Sequence, residues 1–265
     1  MTDASVQATS RLAGMDVTIG TAGWSIPRQD AASFPDGGSV LERYARIFRG
    51  VEMNSSFYRP HRPATWARWA ASVPDGFRFS VKMPKAITHD SRLIGAEALI
   101  EAFAGQVENL GSKLAVLLVQ LPPSLTFDPA IADRFFASVA KAIPAAIACE
   151  PRHPSWFTDE PEMLLRHHRV GRVAADPAIA PSAAEPGGWP GLAYWRLHGS
   201  PAIYRSPYDA AALAHYAQRI EAVASAPATC WCIFDNTASS AATENALDLA
   251  ARLEAAGSGP VSGGR

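Results

Sequence analysis

The chain has 265 residues, 48% of them hydrophobic, and a formal net charge of -1. That length buries most of its apolar surface in one large domain or two small ones. The near-zero charge gives no basic excess for nucleic acid, so a polyanion site would have to be local. No apolar run approaches the roughly 18 residues that span a bilayer, and no membrane partner is expected. The opening MTDASVQATSRLAGMD lacks the apolar centre of a signal peptide. Cys149, Cys230 and Cys232 are few, odd in number and set among apolar residues. They read as reduced, buried thiols in a cytoplasmic protein.

Eight short β-rich runs recur along the chain: 17–23, 51–57, 77–83, 115–121, 146–151, 171–176, 193–199 and 230–236. Most gaps between them carry a helix signal. Ser39 with Glu42 makes a capping box ahead of Leu41, Tyr44 and Phe48. Pro63 opens a stripe of Trp66, Trp69, Ala70 and Val73. Leu99, Phe103 and Val107 form another, stopped near Gly111. Asp128-Pro129 starts a helix with Phe135 and Val139; Ser206-Pro207 starts one with Leu213, Tyr216 and Ile220. Ser240 precedes Leu247, Leu249 and Leu253. The stretch 177–191, with four prolines and three glycines, has no helix period and reads as a long irregular loop, of the kind that often serves as a lid.

Alternating strands and helices imply parallel β-α-β units. Eight of them define a single α/β domain, a TIM-type (β/α)8 barrel over residues 17–255. The sixth unit has the loop in place of a regular helix. Residues 1–16 are expected to be a flexible N-terminus and 256–265 a disordered tail. No Gly-x-Gly-x-x-Gly turn follows the first run, so the usual dinucleotide site is missing.

In a strand, residues i and i+2 share a side. On that phasing Glu52, Asn54 and Ser56 lie together, as do Arg78, Ser80 and Lys82, then Glu150 and Arg152, then Tyr194, Arg196 and His198. Gln120 follows Val116 and Leu118, and two further runs end at Asp176 and at Asp235-Asn236. In a barrel the polar side faces inward, and its last members reach the C-terminal rim, where barrel enzymes keep their sites. Burying so much charge is costly unless it is paired or used.

Seven segments in order, IGTAGWS (19–25), VEMNSSFYR (51–59), FRFSVKMPKAITH (77–89), LLVQLPPS (117–124), EPRHPSW (150–156), YWRLHG (194–199) and FDN (234–236), resemble those of the YecE-like family, domain of unknown function 72. The resemblance covers residues 17 to 255 and implies a TIM-type barrel with these site positions, but no particular reaction. Two positions depart from the family pattern: Pro151 stands where an aromatic is usual, and Asp235 where Asn is usual.

The chemistry read from the residues is an enzyme, a hydrolase or a lyase/isomerase, using acid/base groups on a small anionic substrate, phosphorylated or carboxylated. Glu52, Glu150 and His198 are the candidate catalytic groups, since acid/base work needs titratable groups in unlike surroundings. The arginines offer planar forks to carboxylate or phosphate. The expected substrate-binding set is Trp24, Asn54, Tyr58, Lys82, Gln120, Arg152, His153, Trp156, Arg196 and Asn236. No cofactor is expected. A divalent metal, if one is used, would fall to Glu150, Asp176, His198 and Asp235, as in a metal-dependent phosphodiesterase or endonuclease-like hydrolase. A non-catalytic protein binding an anion or nucleic acid at the same rim is the other class.

Overall fold

A computed structural model describes residues 11–12, 15–224 and 229–257. The expected tail beyond Gly257 lies outside the described residues, as does most of 1–16. Within that N-terminal stretch, however, β1 (Arg11–Leu12) pairs antiparallel with the start of β2 (Met15–Thr21).

Strand and helix then alternate. α1 (Val40–Ala45) precedes β3 (Gly50–Met53), and α2 (Ser55–Tyr58) and α3 (Pro63–Ala71) precede β4 (Arg78–Lys82). α4 (Glu97–Val107) leads to β5 (Leu114–Gln120), α5 (Pro129–Ala142) to β6 (Ala146–Glu150), and α6 (Asp159–His167) to β7 (Val170–Arg172) and β8 (Ala174–Asp176). After the short β9 (Gly187–Gly188) come β10 (Leu192–Leu197), α7 (Ala210–Ala224), β11 (Thr229–Phe234) and α8 (Ala241–Gly257).

The helix starts have local causes. The Ser39–Glu42 capping box forms, with both reciprocal hydrogen bonds. Asp128 accepts from Ile131 N, with Pro129 at the first helical position. The start expected at Ser206 moves to Ala210, because Asn245 ties Tyr208 N to α8 at 3.0 Å and Asp209 provides the cap, accepting from Ala212 N. In α4 the buried stripe is Ile100, Phe103 and Val107, and Leu99 faces solvent. The run expected as a strand over 51–57 leaves the ladder after Met53, and the turn of α2 carries Ser56 Oγ onto Lys82 O at 2.6 Å. The 177–191 loop holds a short 3-10 turn, Pro181–Ala184, and β9, with no α-helix.

The ladders form two sheets, β1-β2-β11-β10-β8 and β3-β4-β5-β6-β7-β9. Pairing is parallel except at β1/β2 and β7/β9. The sheets meet at two seams. At one, a single bridge joins Ala22 to Glu52, and Gly23 N donates to Glu52 O at 2.7 Å. The strands come close there because Gly20 and Gly50 lack side chains: a Cβ on Gly20 would strike Gly50 O, and one on Gly50 would strike Thr18 and Trp231. At the other seam residues 170–176 pass from one sheet to the other around Val173, whose N–H donates to Cys149 O at 2.8 Å. The structure is thus an α/β fold of two sheets, and among the described residues the expected ring of eight strands does not form one continuous ladder.

Each strand has two unlike sides. Leu117, Val119, Ile147, Cys149, Trp195, Leu197, Cys230, Cys232 and Phe234 pack into the large core shared with the helices. On the opposite side a second cluster gathers Val116, Leu118, Ala148, Val173, Leu192, Tyr194, Trp231 and Ile233. Two residues further along the same side stand Gln120, Glu150, Arg196 and Asp235. The second face thus changes from apolar to ionic toward the strand C-termini.

Candidate active site

Arg196, 1% exposed, sits at the centre of this ionic layer. Its Nε donates to Glu52 Oε2 at 2.9 Å and its Nη2 to Glu52 Oε1 at 2.7 Å. Nη1 donates to Glu150 Oε2 at 2.6 Å, and Nη2 also to Asp235 Oδ2 at 2.9 Å. Burial works against its charge, yet Glu150, Glu52 and Asp235 hold the guanidinium well above its usual range. Below it Tyr194 Oη lies 2.9 Å from Glu52 Oε2 and 2.8 Å from Ser80 Oγ. Burial and Glu52 keep the phenol protonated, so Tyr194 donates to Glu52 and accepts from Ser80.

His198 stands between two carboxylates. Nε2 is 3.1 Å from Glu150 Oε1 and Nδ1 is 3.0 Å from Asp235 Oδ2. An imidazole facing an acceptor on each nitrogen is best served by carrying both protons. Burial opposes that charge, but the hydrogen bonds to Asp235 and Glu150 raise the imidazole pKa above its ordinary value. Burial likewise opposes ionisation of Glu150, and Arg196, Arg152 and His198 overcome it, holding the carboxyl well below the usual range. Asp235 is lowered as well, with Arg196 and His198 outweighing its burial. Arg152 donates to Glu150 Oε1 from Nη2 at 2.7 Å and from Nε at 3.1 Å, and keeps 25% of its side chain exposed.

Lys82 closes the group at the end of β4. Burial and the neighbouring Arg196 lower its pKa to about 8, against the pull of Glu52, Glu150 and Asp235. Among the described residues its ammonium makes no salt bridge; Nζ lies 4.1 Å from the centroid of the Phe57 ring. A cavity of about 180 Å³ opens on Glu150, Arg152 and His198, with walls that include Val173, Ile179 and Ile203.

Of the residues expected at the site, Glu52, Lys82, Glu150, Arg152, Arg196 and His198 interact as one group. Arg196, expected as an open fork for substrate, is instead spent on three carboxylates. Gln120 is buried at the end of β5, opposite Glu150 in the ladder. Asn54 stands at the N-cap position of α2 without a side-chain capping bond, and its buried Oδ1 has no partner among the described residues. Asn236 donates to Ser206 O and Asn245 Oδ1 through Nδ2, and its Oδ1 has no partner among the described residues. His153 caps the short turn Pro154–Trp156. Trp156 is core, its indole N–H donating to Leu125 O at 3.0 Å. Trp24 packs edge-on against Trp69, and Tyr58, 79% exposed, lines a separate cavity with Pro60 and Lys85.

The candidate metal ligands do not converge. Glu150 and Asp235 lie on opposite nitrogens of His198, with Arg196 bridging them, and Asp176 accepts from Tyr208 Oη at 2.6 Å. Among the described residues the group whose ligand atoms lie within 4.8 Å of one another is Asp133, His167 and His168, on the outer side of α5 and α6.

Sequence reasoning placed Tyr194 and Ser80 on the polar side of their strands but gave them no part in the site, and it gave none to Phe57 or His89. The first two share the i, i+2 phase of Arg196 and Lys82, which was the available signal. Phe57 and His89 come from turns beyond the strand ends, where strand phasing says nothing.

The architecture is thus an α/β protein with an ionic cluster at the ends of parallel strands. The model of the family described as protein of unknown function DUF72 matches residues 18–263, and the chain belongs to that family. It is 31% identical over 167 residues to UPF0759 protein YecE of Escherichia coli K12, a match covering 60% of this chain and 59% of that relative's length. It also resembles a DUF72 family protein from Enterococcus faecalis, with TM-score 0.75 at 21% identity over 89% of this chain and 95% of the other. A DUF72 family protein from Thermotoga maritima has TM-score 0.73 and 25% identity over 90% and 99%. Among the described residues no helix is long and apolar enough to cross a membrane.

Proposed function

We propose that the chain winds as a TIM-type (β/α)8 barrel and is a cytoplasmic enzyme that performs acid/base chemistry on a small anionic substrate at the C-terminal rim. The passage of 170–176 between sheets and the bridge at Ala22–Glu52 support the barrel, since together they link the parallel strands of the two sheets at both ends, β7 to β8 and the end of β2 to β3. The three buried thiols, none of them in a disulfide among the described residues, support the compartment.

One observation carries the functional reading: the cavity opens on Glu150, Arg152 and His198 together. Glu150 is held as a carboxylate and the His198 pKa is raised above its ordinary value, so a carboxylate base and an imidazole able to carry the acid proton stand 3.1 Å apart. Arg152 is the partly exposed cation beside them. With His198 and Lys82 charged, four cations (Lys82, Arg152, Arg196, His198) face three carboxylates (Glu52, Glu150, Asp235), and the surplus favours an anion. Arg152 holds the carboxylate or phosphate, and the Glu150–His198 pair moves the proton. A proton shuttle with no demand for water as reactant suits a lyase or isomerase; a hydrolase would use the same pair to activate water.

Calorimetric titration of inorganic phosphate and small phosphorylated acids from pH 5.5 to 8 tests this. Wild type should bind saturably, more tightly at lower pH, and Arg152→Ala should weaken binding by about ten- to a hundredfold, the worth of one charge-assisted hydrogen bond. Absence of saturable binding, or equal binding by Arg152→Ala, would return the cluster to a purely structural role.

A further inference from the structure

The chain has four lysines, Lys82, Lys85, Lys113 and Lys141, against twenty arginines. Lys113 anchors its ammonium on Ala70 O and Val73 O, and Lys85 pairs with Asp90 at the surface. Lys82 alone of the four is buried, at 8% exposure, and it stands in the ionic layer without a carboxylate of its own. Glu52, Glu150 and Asp235 all act on it through space, but each is already gripped by Arg196. Its ammonium rests instead over the Phe57 ring. His89 packs edge-on to the same ring at 4.9 Å between centroids. Burial, then Lys82 and Lys85, lower the His89 pKa, so it stands there as a neutral imidazole.

We propose that Lys82 is an imine-forming amine, and that the substrate is a small aldehyde or ketone whose carboxylate or phosphate is held by Arg152. The proposal rests on the anion-binding reading above and names the substrate class of that site. A structural lysine is normally paired or exposed, whereas an amine nucleophile needs a neutral nitrogen in a desolvated place beside other cations. Lys82 meets that description, and at a pKa of about 8 roughly a tenth of it is neutral near pH 7. The step balances as an addition followed by loss of water. The Nζ lone pair forms a bond to the carbonyl carbon while the carbonyl π pair moves to oxygen, which takes a proton. The nitrogen gives up one proton, which neutral His89, packed against the same Phe57 ring, would accept. The hydroxyl then leaves as water with a second proton as the nitrogen lone pair closes the C=N bond. The protonated imine draws electrons from the adjacent carbon, where the Glu150–His198 pair would exchange a proton.

Reductive trapping tests it on the full chain. Glyoxylate, a two-carbon anionic aldehyde, is added with cyanoborohydride, and the four lysines are followed by peptide mass spectrometry. Lys82 should acquire the carboxymethyl group at least about tenfold faster than Lys85 at pH 7, because its pKa of about 8 leaves part of the amine neutral there. Its rate should rise toward a half-maximum near pH 8. Inorganic phosphate should slow labelling at Lys82 and leave Lys85 unchanged, and Lys82→Met should remove the fast site. Pyruvate and glyceraldehyde 3-phosphate should likewise give borohydride-stable adducts at Lys82. If Lys82 is labelled no faster than Lys85, the imine proposal is overturned. Should phosphate still bind in an Arg152-dependent way in that case, only the imine fails; should phosphate binding be missing as well, the anion reading fails with it.

Discussion

Arg196 holds Glu52 through two parallel hydrogen bonds, Nε to Oε2 at 2.9 Å and Nη2 to Oε1 at 2.7 Å, across the interior between strands of different sheets. Both side chains are almost completely buried. A buried pair of this kind contributes little net stability while intact, because desolvation offsets attraction, but breaking it strands a charge.

Glu52→Gln should therefore destabilise the fold by about 3 kcal/mol or more, with Tyr194 also losing its charged acceptor. Urea unfolding monitored by tryptophan fluorescence reads this as a lower midpoint at unchanged slope. A midpoint within error of wild type would show that water reaches the guanidinium.

Stability should peak in mildly acid solution. His198 has a folded pKa above its ordinary 6.5, so its contribution is full below 6.5 and is lost as pH rises through the raised value. Glu150 and Asp235 have folded pKa values below 4.5 and 3.8, so theirs is full above those values and is lost as pH falls through the depressed ones. The three contributions overlap between 4.5 and 6.5. Urea midpoints from pH 3 to 9 should trace that dome, and His198→Asn should flatten its alkaline side.

Asp235→Asn restores the residue that the resemblance to the YecE-like family leads one to expect here. It removes the charge at Nδ1 of His198, the largest of the influences that raise this imidazole. The His198 ring should then titrate at lower pH than in wild type, followed by NMR of its ring protons. An unmoved titration would assign the raised pKa to Glu150 alone.

Lys82 is expected to cost stability. Its folded pKa of about 8 lies below the ordinary 10.5, so the fold penalises the ammonium at every pH under 8, and the penalty fades as pH rises from 8 to 10.5. Lys82→Met, of similar length, should raise stability near neutral pH by about 2 kcal/mol, discounted for the loss of the contact over Phe57. A destabilised Lys82→Met would mean that the lysine serves the fold rather than the site.

The parts of this molecule governed by short-range rules were legible in the sequence. The capping box at Ser39, the cap at Asp128 and the i, i+2 phase that brings Glu52, Glu150 and Arg196 into one layer each depend on residues a few positions apart. What escaped was set by distant partners. Nothing near Ser206 announces that Asn245 will claim Tyr208 and delay α7. Nothing around Asn54 shows that Ser56 is needed on Lys82 O, which turns the chain off the ladder early. Residue type alone treats the arginines alike, and only the geometry separates Arg196, bound to three carboxylates, from the partly exposed Arg152.

The unequal seams give the molecule the mechanics of a clamshell. Along 170–176 the backbone itself crosses between sheets, so that side can bend but cannot part without tearing β6 from β7 or β8 from β10. Across the mouth the backbone supplies the Ala22–Glu52 bridge and the bond from Gly23. The rest of the latch is ionic, Glu52 to Arg196 and Tyr194. Replacing Glu52 by Gln should loosen it, and the Gly23 amide should then exchange with solvent while the amides of β5 and β6 are still protected. The same residues that make the rim chemically interesting thus also decide where the protein first comes ajar.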